Sequence, residues 1–206
     1  EIYKTFTFLL TKFGKNLFEG KSIINVSFPI FLYDKRSYAQ VFAYEHKLAP
    51  YFLSRAALTK DKMERFKWVI THLFSFLHIS TIQTQPFKPV IGETFQCRIG
   101  DLSLYIENTT NEALINNFYG FDDNRNYKIY GYQISDISTM PNSVVASKVG
   151  KYYIEFKDGS KYLLRLPNTT LRGISMGDRT FNYTQKIVIY DLINNLCAYI
   201  EMNPEE

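Results

Sequence analysis

The residues best able to bind a metal or move a proton near neutral pH are His46, His72 and His78. A shared metal needs ligands three or four positions apart on one helix face, and the six-residue step from His72 to His78 does not supply that. The spacing therefore predicts no metal site and places the three rings at helix ends or solvent edges. Asp122-Asp123-Asn124-Arg125-Asn126 has the carboxylates of a calcium loop but neither its glycine nor its downstream glutamate, so it reads as a surface turn. The chain holds no phosphate loop, dinucleotide glycine pattern, nucleophile elbow or zinc-protease motif. Cys97 and Cys197 form no disulfide framework and are expected reduced and buried. The sequons at Asn25, Asn108, Asn168 and Asn182 read as chance in an Asn- and Thr-rich chain. The expectation is a binding or structural protein, not an enzyme, with no cofactor and no metal.

With 206 residues, 46% hydrophobic and 21% charged, among them 17 Phe and 16 Tyr, the composition is that of a folded domain and not of a disordered tail. The longest apolar stretch, Trp68 to Ile79, is interrupted by Thr71, His72, Ser75 and His78 and falls short of a membrane span. The net charge of +4 is spread singly along the chain, which argues against nucleic acid and leaves a mild attraction to anionic membrane surfaces. The start lacks an initiator Met and a signal pattern, so the chain reads as a fragment or processed product facing the cytoplasm.

Periodicity divides the chain near Gln83 to Gly92. Before the break, Met63, Phe66, Ile70, Leu73, Phe74 and Leu77 predict one apolar face of a helix from about Lys60 to His78, with Asp61 at its start. Tyr38 to Leu58 predicts one or two shorter helices interrupted by Pro50. Glu1 to Phe18 reads as amphipathic and Ile23 to Tyr33 as extended. After the break come short alternating runs: Phe95 to Ile99, Leu102 to Ile106, Tyr127 to Ile134, Tyr152 to Phe156, Tyr162 to Leu166, Phe181 to Tyr190 and Leu196 to Glu201. Turn residues divide them, as at Gly100-Asp101, Pro141-Asn142-Ser143 and Asp158-Gly159-Ser160. The pattern predicts an antiparallel meander, curved or closed into a barrel, with helices packed across it. An aromatic-rich interior of this kind suits an apolar ligand.

Gln85-Pro86-Phe87-Lys88-Pro89-Val90-Ile91-Gly92-Glu93-Thr94-Phe95 resembles the Lys-Pro-Phe-Asn-Pro-Leu-Leu-Gly-Glu-Thr-Phe signature of oxysterol-binding-protein-related proteins. Val26-Ser27-Phe28-Pro29-Ile30, the helix positions Arg65, Val69 and Ser75, and the run from Asp158 to Pro167 also look like the family's, in order. The resemblance implies an α+β fold: N-terminal helices on a large antiparallel meander that forms a partial, incomplete β-barrel. It implies a single domain over 1–206, with a helical and lid region at 1–84 and the first half of the barrel at 85–206. It also implies a sterol or phospholipid ligand, exchanged in many members for phosphatidylinositol 4-phosphate.

The family's headgroup site uses the Lys and Asn of this motif and a His-His pair in Glu-Gln-Val-Ser-His-His-Pro-Pro. By position those places are held here by Gln85, Lys88, Asn111 and Glu112, while Pro86, Pro89, Gly92, Glu93 and Glu107 match as architectural residues. A carboxylate set against a phosphate costs roughly 4 kcal/mol at 4 Å with an effective dielectric near 20. The expectation is therefore a lipid-binding module with a degenerate phosphoinositide site. The alternative is a non-transporting structural subunit of a larger assembly. Expected partners are a lipid, a membrane contacted peripherally and a protein covering the open barrel edge, with no nucleic acid.

Overall fold

Three helices begin where local chemistry starts them. The Ser37 side chain accepts from the Gln40 amide at 3.3 Å while the Gln40 side chain accepts from the Ser37 amide at 2.9 Å. This reciprocal cap opens α1, Tyr38–Glu45. Pro50 lies in the first turn of α2, Ala49–Leu58, where its missing N–H costs nothing, so it starts a helix instead of breaking one. Asp61 accepts the Glu64 amide at 2.8 Å and opens α3, Lys62–Ile79. The computed structural model describes residues 11, 30, 33–81, 85–110, 114–174, 176–184 and 186–202. The amphipathic reading of Glu1 to Phe18, all but the end of the Ile23 to Tyr33 reading and the Val26 to Pro29 match lie outside the described residues.

The buried stripe of α3 runs through Phe66, Val69, Leu73, Phe76 and Leu77. Met63 and Phe74, expected on that face, are 49% and 41% exposed, because steps of three, four and three from Phe66 lead to Val69, Leu73 and Phe76 instead. Among the described residues no helix is long and apolar enough to cross a membrane.

Two strands, β1 (Tyr33–Ser37) and β2 (Gln85–Phe87), pair in parallel beside α1. The main sheet is antiparallel and runs β3 (Thr94–Ile99), β4 (Leu102–Asn108), β5 (Leu114–Asp122), β6 (Tyr127–Met140), β7 (Ser143–Phe156), β8 (Lys161–Arg165), β11 (Ile187–Asp191), β12 (Leu196–Ile200). β7 forks. Its second half, Tyr152 to Glu155, pairs with β8, while its first half, Ser143 to Ala146, pairs with β9 (Asn168–Arg172), which carries β10 (Thr180–Thr184). The single strand expected over Phe181 to Tyr190 is thus two, β10 and β11, on different neighbours. β5 and β9 were not expected, since Asn116, Asn117 and Gly120 weaken the strand signal of one and Asn168 and two threonines that of the other. Among the described residues β3 and β12 pair on one side only, so the barrel is partial.

The 122–126 segment is a turn in which the buried Asp122 carboxylate accepts the Tyr127 amide at 2.8 Å and the Asn126 side chain at 3.2 Å. Both acceptors are taken up within the turn, one by the Tyr127 backbone and one by the Asn126 side chain, which is the physical content of the turn reading. Both cysteines are free; Cys97 is half-buried, but Cys197, expected buried, is exposed because alternation in the edge strand β12 turns it outward.

One face of the sheet is buried against the helices. Leu102, Leu104, Ile106, Phe118, Ile129, Ile154, Tyr162, Leu164, Ile187 and Ile189 share one core with Phe42, Leu53, Phe66, Leu73 and Phe76. Arg65 locks this arrangement: its guanidinium donates to Ala56 O at 3.1 Å and Thr59 O at 2.9 Å, closing α2, and to Asp158 at 2.5 Å and Ser160 at 2.8 Å in the β7–β8 turn. At the middle of the sheet Gly131 and Gly150 let β6 and β7 approach closely. A Cβ on Gly131 would lie 1.8 Å from Lys151 O, and one on Gly150 would lie 2.0 Å from Tyr132 O.

Candidate functional site

Alternation along β4, β5 and β6 turns Asn108, Asn116 and Gln133 toward the helices, and register lines them up. Asn108 faces Asn116, Asn116 faces Gln133, and Gln133 faces Gly150. The three amides are buried, at 0%, 0% and 4% exposure. Asn108 donates to Ile115 O at 2.9 Å, and Gln133 donates to the Tyr38 hydroxyl at 3.2 Å and the Ser135 hydroxyl at 3.1 Å. Asn108 Oδ1, both polar atoms of Asn116 and Gln133 Oε1 have no hydrogen-bond partner. Each such buried atom costs about 1–3 kcal/mol. A row of them in one place is a stored capacity to bind something polar. A cavity of about 10 Å³, room for one water molecule, opens beside Gln133 between Phe118, Lys148, Tyr152 and Leu164.

Around this row lies a second layer. Lys148 faces Ser135 across β6 and β7 and pairs with Glu45 of α1 at 3.1 Å, the carboxylate buried and the ammonium half-buried. Burial raises the Glu45 carboxyl, and Lys148 opposes that shift. Tyr38 hydrogen-bonds Ser135, and burial pushes its phenol up to about 12, so it stays neutral.

The aromatic wall next to the polar end is built from Phe42, Phe76, Phe118 and Tyr152 around His46, whose ring stacks on Tyr152 at 5.6 Å and 8°. His46 Nδ1–H donates to Phe42 O at 2.9 Å, which leaves Nε2 as an acceptor. His72 Nε2 lies 3.2 Å from the Tyr152 hydroxyl. Burial lowers His46 to about 4 and His72 to about 3, so both are neutral at pH 7. The helix-end reading holds for His46, the C-cap of α1, and for His78, exposed in the last turn of α3, whereas His72 lies inside α3 on its buried face. His46 is also buried, and the Phe42 carbonyl pairs one of its ring nitrogens as the Tyr152 phenol pairs one of His72. The whole arrangement offers neutral donors and acceptors at one end of an apolar, aromatic interior.

The motif positions lie at the rim of this site. Gly92, at φ +77°, donates its amide to Asn108 O at 2.8 Å, and the Asn108 amide donates to Glu93 O at 3.0 Å. Glu93 also closes its own turn, accepting the Val90 amide at 3.3 Å. Pro86 lies within β2, and Pro89 is buried under the loop while Lys88 is exposed. Gln85 pairs through its backbone with Tyr33. Glu107 faces Thr94 on the opposite side of the sheet from the amide row. Asn111 and Glu112 lie outside the described residues. The structure therefore brings 92 and 93 against Asn108 and turns Glu107 away.

Sequence reasoning missed Asn108 as a site residue, noting it only as a sequon, and missed Asn116, Gln133, Tyr38, Glu45 and Lys148. The available signal was parity: Asn108 continues the inward series Leu102, Leu104, Ile106, and Gln133 the series Tyr127, Ile129.

Comparison with known proteins gives a consistent result. A family model described as oxysterol-binding protein matches residues 10–206. Oxysterol-binding protein 9 of Dictyostelium discoideum is 30% identical over 197 residues, covering 95% of this chain and 46% of that protein. Oxysterol-binding protein-related protein 5 of Homo sapiens is 27% identical, covering 91% of this chain and 22% of that one. The Osh3 ORD of Saccharomyces cerevisiae, solved in complex with PI(4)P, superposes with a TM-score of 0.77 at 18% identity, over 90% of this chain and 49% of that one. The Osh1 ORD domain, solved with ergosterol, gives 0.77 at 20% identity over 89% and 44%. The chain spans less than half the length of each of these relatives.

Proposed function

Because the chain belongs to the oxysterol-binding protein family, we propose that it is a lipid-binding module that takes up a sterol or another lipid with a small uncharged polar group. The carrying observation is the buried row Asn108, Asn116 and Gln133 with its unpartnered amide atoms. The hydroxyl of such a lipid would sit on the row, with the apolar body against Phe42, Phe76, Phe118 and Tyr152. The module binds its ligand without converting it. In this reading 1–206 acts as one domain, since the helices and the sheet share a core, and it works at the cytoplasmic surface of a membrane.

The phosphoinositide headgroup site is degenerate in this proposal. Gln85, Lys88, Asn111 and Glu112 hold its positions, and a carboxylate at 112 repels a phosphate. Uptake of labelled sterol from liposomes by the purified chain, read with native mass spectrometry, tests the main reading. One sterol per chain is the expected result, and a chain that extracts no lipid would sink it.

A second reading rests on a different observation. The aromatic side chains Phe42, Phe76, Phe118 and Tyr152 pack on one another and are each at most 5% exposed, and among the described residues β3 and β12 present open edges. That combination suits a structural subunit docked along its strand edges in a larger assembly. An empty chain that stays in solution only with a partner is the outcome this reading expects.

A further inference from the structure

The sheet face turned away from the helices carries an arrangement that the amide row does not use. Cross-strand pairing places Gln96, Tyr105, Tyr119 and Tyr130 in one row across β3 to β6, and Thr94, Glu107, Asn117 and Tyr132 in the next. Directly opposed side chains on such a face stand about 5 Å apart and diagonal ones about 7 Å, so the two rows form a continuous tile. A cavity of about 260 Å³ opens over it, lined by Thr94, Gln96, Tyr105, Glu107, Asn117 and Tyr119. Its volume lies just under the range of drug-sized sites, about 300–1,000 Å³, and suits a headgroup-sized ligand.

Aromatic surface surrounds the cavity's exposed tyrosines. Phe121 stacks on Tyr105 at 6.0 Å and leans on Tyr119 at 5.8 Å, and the Arg125 guanidinium lies 3.4 Å from the centre of the Phe121 ring. Cations thus already settle on the rings of this face. The other carboxylates here are paired, Asp123 with Arg98 and Glu155 with Lys128 at 2.8 Å. Glu107 has no cation partner among the described residues, although the chain carries a net charge of +4. A lone carboxylate beside two exposed tyrosine rings is the complement of a weakly hydrated cation, which gains from ring faces and charge together.

We propose that the Tyr105–Tyr119–Glu107 tile binds a quaternary ammonium group of the choline type, presented by free choline or by a phosphatidylcholine headgroup. The proposal is independent of lipid uptake by the interior. Titration of the whole chain with tetramethylammonium and with choline, followed by backbone amide NMR, is expected to give saturable shifts confined to β3, β4 and β5. Glu107→Gln and Tyr105→Leu should each weaken binding about threefold and together about tenfold, as exposed ion pairs and cation–π contacts allow. Tyr105→Phe, which keeps the ring, and Glu64→Gln, on α3 and away from the tile, should leave affinity unchanged, with unaltered thermal midpoints showing that the variants fold. Sedimentation with phosphatidylcholine vesicles but not with phosphatidylglycerol vesicles assigns the lipid headgroup as the source. Choline shifts without sedimentation assign the free ion. The absence of saturable shifts, or shifts of equal strength in the Glu107→Gln/Tyr105→Leu double variant, would overturn the assignment.

Discussion

Asn116 of β5 faces Gln133 of β6 in register, both buried, and between them three polar atoms have no hydrogen-bond partner. Two neighbouring amides left this way in a core are a local cost concentrated in one place.

Asn116→Leu removes both unpartnered atoms of that residue at similar volume. Stability should rise by about 1–2 kcal/mol, while sterol uptake falls at least severalfold. Chemical denaturation and liposome extraction on the same preparation check this. Loss of stability together with unchanged uptake would mean the amide is structural.

The Arg65 pair is expected to respond asymmetrically. Arg65→Met leaves the Thr59 carbonyl, the Asp158 carboxylate and Ser160 without the guanidinium, while Ala56 O keeps the Thr59 amide, and should cost about 3 kcal/mol or more. Asp158→Ala removes a carboxylate that is 51% exposed and should cost about 1 kcal/mol or less. Equal losses in urea titrations would contradict the geometry.

Alanine at Gly131 or Gly150 drives a Cβ into a strand carbonyl at 1.8 or 2.0 Å, so either change should unfold the chain or move β6 from β7. At Gly159 the space is open and only the positive φ of +87° resists, so Gly159→Ala should cost about 1–2 kcal/mol. Thermal midpoints in that order are the check.

His46 and His72 are held near 4 and 3, below the ordinary 6.5, by burial. The unfolded chain binds their protons first, so their contribution is fully present above about 6.5 and is lost as pH falls toward those values. Each adds up to about 1.4 kcal/mol per pH unit to the slope. Glu45, raised by burial, runs the other way just above 4.5. Denaturation midpoints measured from pH 7 to pH 5 should fall, and His72→Gln should flatten the curve.

Restoring the family's headgroup residues with Gln85→Lys and Glu112→His should confer measurable binding to PI(4)P liposomes, because it exchanges a repelling carboxylate for cationic or neutral donors. A double variant with no affinity would mean that the headgroup pocket itself is missing.

Local patterns were enough for the helices, most of the strands and the signature loop. A cap at Ser37 or Asp61, a proline at a first turn and alternation in Leu102 to Ile106 act over a few residues. The spacing around Phe66 also left two faces of α3 open, and only packing against the sheet chose Val69 and Phe76 over Met63 and Phe74. The burial of His46 and His72 and the exposure of Cys197 were decided the same way, by which element covers which face. β5 was invisible to propensity because its inward Asn116 and Gly120 violate the usual strand pattern. The amide row is a property of register: Asn108, Asn116 and Gln133 each lie on an inward position that parity reveals, but their alignment depends on how β4, β5 and β6 slide past one another. That sliding is fixed by long-range packing, through the Gly131–Gly150 approach and the Arg65 clamp, and no short stretch of sequence contains it.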